Sequence, residues 1–104
     1  MAEHNIIGQK GEQIAVETMR KKGFRVVDTN WKFGHLEMDV IAVNRKEIAF
    51  VEVKTRTSSF GDKRPEEFVD ELKRRRMAAA ANAYIKIHQI ELVPRFDIIG
   101  ISMD

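Results

Sequence analysis

Two rhythms of apolar residues divide the chain. From Asn5 to Gly23, small and apolar residues (Ile7, Gly8, Gly11, Ile14, Ala15, Met19) recur on one broad helical face. A first helix is expected there, with Asn5 as its N-cap and Gly23 as its C-cap after Arg20-Lys21-Lys22. Glycine weakens a helix interior, so Gly8 and Gly11 point to close backbone approach to another element. The rhythm then shortens to strand-like runs at Arg25–Trp31, Leu36–Val43 and Ile48–Arg56. Asn44-Arg45-Lys46-Glu47, between the last two, is short enough for a hairpin turn. Thr57–Arg64, with Ser58, Ser59 and Gly61, reads as a polar, basic loop. Pro65, followed by Glu66 and Glu67, opens a second helix reaching about Ile87. Its buried face is expected at Phe68, Leu72, Ala79, Ala80 and Ala83. Phe96–Ile101, after Pro94, reads as a last strand, so the order is α-β-β-β-α-β, a small mixed α/β domain.

A chain of 104 residues supports one hydrophobic core and not two. With 43% hydrophobic and 33% charged residues it is too apolar for a disordered chain. No apolar stretch approaches the ~18 residues of a membrane helix. The N-terminal MAEHNIIGQK lacks the charged-then-apolar layout of a signal peptide, so a cytoplasmic location without a membrane partner is expected. The absence of Cys excludes disulfides and thiolate metal sites, and His4, His35 and His88 have no zinc-ligand spacing. The net charge is only +2, but cations cluster in Arg20-Lys21-Lys22 and Lys73-Arg74-Arg75-Arg76, with Lys54, Arg56, Lys63 and Arg64 between them. Such clusters suit a phosphate backbone; solvated helix faces account equally well for any one of them.

Acidic and basic residues also interrupt the second and third strand-like runs. With the hairpin turn centred on Arg45 and Lys46, Asn44 pairs with Glu47, Ile41 faces Phe50, Asp39 faces Glu52 and Glu37 faces Lys54. Side chains alternate along a strand, so these residues share a face that is apolar near the turn and charged at the open end. Directly opposed residues have Cβ atoms ~4.5–5.5 Å apart. Two carboxylates there repel by roughly 3 kcal/mol at an effective dielectric of about 20. Against a total stability of ~5–15 kcal/mol, that repulsion calls for an offset. Lys54 supplies part of it. A hard divalent cation, Mg²⁺ or Mn²⁺, held by Asp39 and Glu52 would supply the rest, and could polarise a phosphoryl oxygen and acidify a bound water. From spacing alone, an exposed sheet end with an ordinary Asp–Lys–Glu salt-bridge network is the simpler account. Glu12, on the apolar side of the first helix beside Gly8 and Ala15, weighs toward the metal site. A surface Glu at the margin of an amphipathic face would nevertheless sit in the same place.

Four motifs in order, Gly8-Gln9-Lys10-Gly11-Glu12, Glu37-Met38-Asp39-Val40-Ile41-Ala42, Phe50-Val51-Glu52-Val53-Lys54-Thr55-Arg56 and Arg95-Phe96-Asp97, resemble the YraN-like family. That family is similar to a minimal branch of the PD-(D/E)xK nuclease superfamily, with a core like that of archaeal Holliday-junction resolvases. The match takes in nearly the whole chain. It implies a single restriction-endonuclease-like domain over residues 1–104, with a central mixed sheet flanked by helices. The activity it implies is divalent-metal-dependent hydrolysis of phosphodiester bonds in nucleic acid, DNA ahead of RNA, branched DNA included. Carried over by motif, Asp39 and Glu52 would bind Mg²⁺ or Mn²⁺, Lys54 would position or activate the attacking water, and Glu12 would complete the catalytic set. Lys73 matches a family lysine expected to touch phosphate, and Arg56 also matches as a nucleic-acid contact. Met38 stands where the superfamily pattern has Pro, and Leu36 where many relatives have Gly. A nucleic-acid-binding module that does not cut, and a structural domain with only a salt-bridge network, remain as alternatives. A homodimer is expected by analogy with the resolvases, whose symmetric substrates suit a two-fold protein.

Trp31-Lys32-Phe33 could stack on unpaired bases, although core packing is the preferred account of Trp31. His35 precedes the acidic strand, where a surface or structural role outweighs a chemical one. Arg95 and Asp97 are expected to fix the last strand by ion pairing.

Overall fold

In the computed structural model, the backbone is described for residues 2–57 and 71–103 and the side chains for 8–55 and 71–102. Helix α1 (Ala2–Lys21) is followed by strands β1 (Arg25–Phe33), β2 (Leu36–Val43) and β3 (Glu47–Thr57), then by helix α2 (Glu71–His88) and strand β4 (Val93–Met103). The sheet order is β1-β2-β3-β4. The first three strands run antiparallel and β4 runs parallel to β3. The α/β element order and the mixed sheet are those expected. The expected start of the second helix at Pro65, its residue Phe68 and nearly all of the Thr57–Arg64 loop lie outside the described residues.

Several boundaries move. Asn5 is inside α1 and not its cap, because Ala2 and Glu3 are themselves good helix formers. The C-terminal end is as expected: Gly23 adopts φ +93. Gly23 N donates to Arg20 O at 3.0 Å and Phe24 N to Met19 O at 3.0 Å, the paired bonds of a Schellman turn. The hydrophobic contact that accompanies such a turn is present too, since Phe24 and Met19 are buried in one cluster. Strand β4 begins at Val93, earlier than expected, because its ladder with β3 runs from Glu47↔Val93 to Thr57↔Met103. Pro94 is tolerated there since β4 is an edge strand.

Each face of the sheet carries one helix. Ala15 and Met19 of α1, with Phe24, bury Val40, Ala42, Ala49 and Val51. Met77, Ala80, Ala81 and Tyr84 of α2 bury Met38, Ile41, Ile48 and Phe50. Leu72, expected on the buried face, is 55% exposed. It precedes Met77 by five residues, a rotation of roughly 140° off the inward stripe at ~100° per residue. Ala79 is likewise exposed. Gly11 fulfils the expectation of close approach: a Cβ there would run into Thr55 of β3 and touch Ile101 of β4, whereas Gly8 faces open space.

Candidate active site

The hairpin register holds near the turn. Asn44 N donates to Glu47 O at 3.0 Å, and Ile41 pairs with Phe50. The ladder ends at Val40↔Val51, so the expected direct oppositions of Asp39 with Glu52 and of Glu37 with Lys54 do not form as strand pairs. Beyond that point β2 stays with β1, where Glu37 pairs with Lys32, and β3 stays with β4. The parting has a local cause. Two residues apart, Met38 packs in the α2 layer and Val40 in the α1 layer, although a regular strand would put both on one face. Across from this break, between the pairs Thr29↔Val40 and Trp31↔Met38, Asn30 takes φ +49. That left-handed region is one that Asn tolerates better than most residues.

Asp39 stands in the fork. Its Oδ2 accepts a 2.7 Å hydrogen bond from Val53 N, so a carboxylate replaces the strand partner that β3 loses. Glu52, one residue earlier on β3, is only 5% exposed, the one charged residue among the buried side chains described. The two carboxyl groups are in contact. Asp39 is pushed up from 3.8 to about 6, above all by burial, and further by the charge of Glu52 and a hydrogen bond with its carboxyl. The Val53 N–H and the charge of Lys73 act the other way. Two ammonium groups converge on Glu52 Oε2: Lys73 Nζ at 3.0 Å and Lys54 Nζ at 3.6 Å.

Of the residues named from sequence, Asp39, Glu52, Lys54 and Lys73 are thus brought together. Lys73 was expected on a phosphate; it reaches across from α2 and ion-pairs with Glu52. Glu12 Oε2 accepts a 2.7 Å hydrogen bond from Asn30 Nδ2, on the strand next to Asp39. Among the described residues, no three acidic or His side chains are grouped so as to hold a metal ion. Arg56 belongs to β3 by its backbone, and its side chain lies outside the described residues. His35 is exposed and lines a cleft of about 50 Å³ with Glu37, Lys73 and Arg76. Trp31 packs as expected, edge-on to Tyr84 at 5.2 Å. Arg95 pairs with Asp97 at 3.0 Å and with Glu47 at 3.3 Å. Sequence reasoning missed Asn30, whose signal was a poor strand former inside a strand-like run.

A model described as uncharacterised protein family UPF0102 matches residues 11–101. The chain belongs to this family. A UPF0102 protein of Porphyromonas gingivalis is 42% identical over 103 residues, covering 99% of this chain and 76% of its own length. One of Bacteroides thetaiotaomicron is 44% identical over 97% of this chain and 83% of its own. One of Parabacteroides distasonis is 46% identical over 95% and 81%. The YraN-like resemblance is thereby borne out at the level of the UPF0102 family. The matched span contains Glu12, Asp39, Glu52, Lys54, Arg56 and Lys73.

Proposed function

We propose that this UPF0102 protein is a divalent-metal-dependent nuclease, cutting phosphodiester bonds in nucleic acid with DNA as the favoured substrate. The observation that carries the reading is the contact between the Asp39 and Glu52 carboxyls at the fork of β2 and β3, with Lys54 and Lys73 against Glu52. Burial and mutual repulsion make this pair costly in isolation, as the raised Asp39 value records. Two hard oxygen donors of this kind fit Mg²⁺ or Mn²⁺, with the remaining positions left to water and phosphate. When bound, the ion would polarise a phosphoryl oxygen and lower the pKa of a coordinated water.

The chain's own residues have distinct tasks in this reading. Val53 N–H fixes the Asp39 carboxylate, and Lys73 fixes that of Glu52. Lys54, partly exposed and farther from Glu52, is the ammonium available to steady charge on the attacking water or the phosphate. Arg56, at the exit of β3, is assigned to the nucleic-acid backbone by motif. Glu12, whose Oε2 accepts from Asn30, is assigned to complete the catalytic set by motif. The superfamily and resolvase resemblance supports DNA, branched DNA among the candidates, and a two-fold dimer.

A panel of single-stranded, duplex, flap and four-way-junction substrates tests the proposal. Cleavage with Mn²⁺ is expected, falling by at least ~10²-fold in Lys54→Ala and Glu52→Ala while circular dichroism shows the fold retained. If every substrate survives but is bound, the protein is a non-catalytic nucleic-acid-binding module on the same fold. One observation favours that second reading: Lys73 already neutralises Glu52, and no third acid joins the pair among the described residues.

A further inference from the structure

At the other end of the sheet, the α1–β1 turn and the β2–β3 turn enclose an open groove of about 820 Å³. Arg20, Arg25, Arg45 and Lys46 line it around a floor that includes Phe24. All four cations are exposed, and none takes part in the ion pairs found among the described residues. The carboxylate that also lines the groove, Glu47, is engaged by Arg95 at 3.3 Å. Phe24 is held under Arg95, whose guanidinium lies 5.3 Å from the ring centre. The groove therefore gathers four positive charges from α1, β1 and the β2–β3 turn, with its one acid already paired.

We infer that this groove is a second phosphodiester-backbone site, separate from the Asp39–Glu52 fork, that grips nucleic acid at a fixed distance from it. The inference rests on the nuclease reading only for the choice of nucleic acid as the polyanion. Lys46 and Glu52 are six residues apart, which sets the two sites roughly 20 Å apart at ~3.3 Å per strand residue. That span corresponds to about six base pairs of duplex at ~3.4 Å each. The long dimension of the molecule is 42 Å, enough for one continuous duplex to meet both sites. Guanidinium groups suit this task because their forked donors match phosphate oxygens in pairs. The site reads no sequence; it positions the duplex.

The test measures binding of a fluorescent 20-base-pair DNA duplex to the full chain in EDTA across a salt series. Arg25→Ser/Arg45→Ser/Lys46→Ser is compared with the parent and with Lys86→Ser. The triple variant is expected to bind about tenfold or more weakly, with the slope of log K against log salt shallower by about 2–3. Lys86→Ser, which removes an exposed cation outside both sites, should keep the parent slope, and Arg45→Lys should keep most of the affinity. The far-ultraviolet circular dichroism and the metal-free melting temperature of the triple variant should match those of the parent, which shows that the fold is intact. An unchanged salt slope in the triple variant overturns the inference, as does absence of duplex binding by the parent at low salt. Loss of binding to polyglutamate with DNA binding intact also overturns it, in favour of an acidic protein partner. Failure of the nuclease reading shows separately, as a parent salt slope in EDTA together with no cleavage of any substrate of the panel once Mn²⁺ is supplied.

Discussion

Asp39 does two jobs that a regular strand residue could not combine. It satisfies the Val53 N–H left by the parting strands, and it puts a second carboxyl beside buried Glu52. The folded state prefers it protonated, since its value rises from 3.8 to about 6. The sign follows from linkage: a raised acid contributes stability that is full below about pH 4 and is lost as the pH climbs through about 6. In metal-free protein, the melting temperature of the parent should therefore fall relative to that of Asp39→Asn between about pH 4 and pH 6. Parallel melting profiles for the two proteins would remove the proposed repulsion at the fork. Tyr84 shows the same kind of control in the core, its hydroxyl pushed up to about 12 by burial and by Asp28.

The two glycines of α1 differ only in what they meet. Alanine is favoured over glycine in a helix interior by about 0.8–1 kcal/mol. Gly8 faces open space, so Gly8→Ala should raise stability by roughly that amount in a urea melt. Gly11 is pressed against Thr55 and Ile101 where α1 crosses β3 and β4, and Thr55 is β-branched with little rotamer freedom. Gly11→Ala should lose the helix gain and destabilise by about 1–2 kcal/mol through overpacking. Equal effects at both positions would mean that α1 does not sit this close to the sheet. The contact matters to the site, because Thr55 follows Lys54 directly on β3.

At the scale of the molecule, the sheet is closed at the hairpin turn and open at the fork. A bound cation would act on the folded state alone, since the unfolded chain cannot hold Asp39 and Glu52 together. At a concentration about 100 times its dissociation constant, Mn²⁺ should stabilise the protein by ~2.7 kcal/mol. Thermal melts should show that gain in the parent and its loss in Glu52→Gln, while Mn²⁺ leaves an unrelated surface variant such as Glu71→Gln shifted like the parent. Among the described residues no helix is long and apolar enough to cross a membrane.

The sequence by itself determined the element order, the Gly23 cap, the hairpin register near the turn and the grouping of Asp39, Glu52 and Lys54. Each of these depends on neighbours close in the chain, where side-chain period, turn chemistry and backbone freedom are legible. Only the tertiary structure decided where the hairpin stops pairing, because that turns on the left-handed Asn30 and the fork at Asp39, two residues on different strands. It also decided the partners across the layers. Lys73 comes from α2 to Glu52, Glu12 bonds to Asn30, and Arg20 joins the β2–β3 turn to form one groove. Such contacts are set by how helices pack on a twisted sheet, and no local pattern along the chain records them.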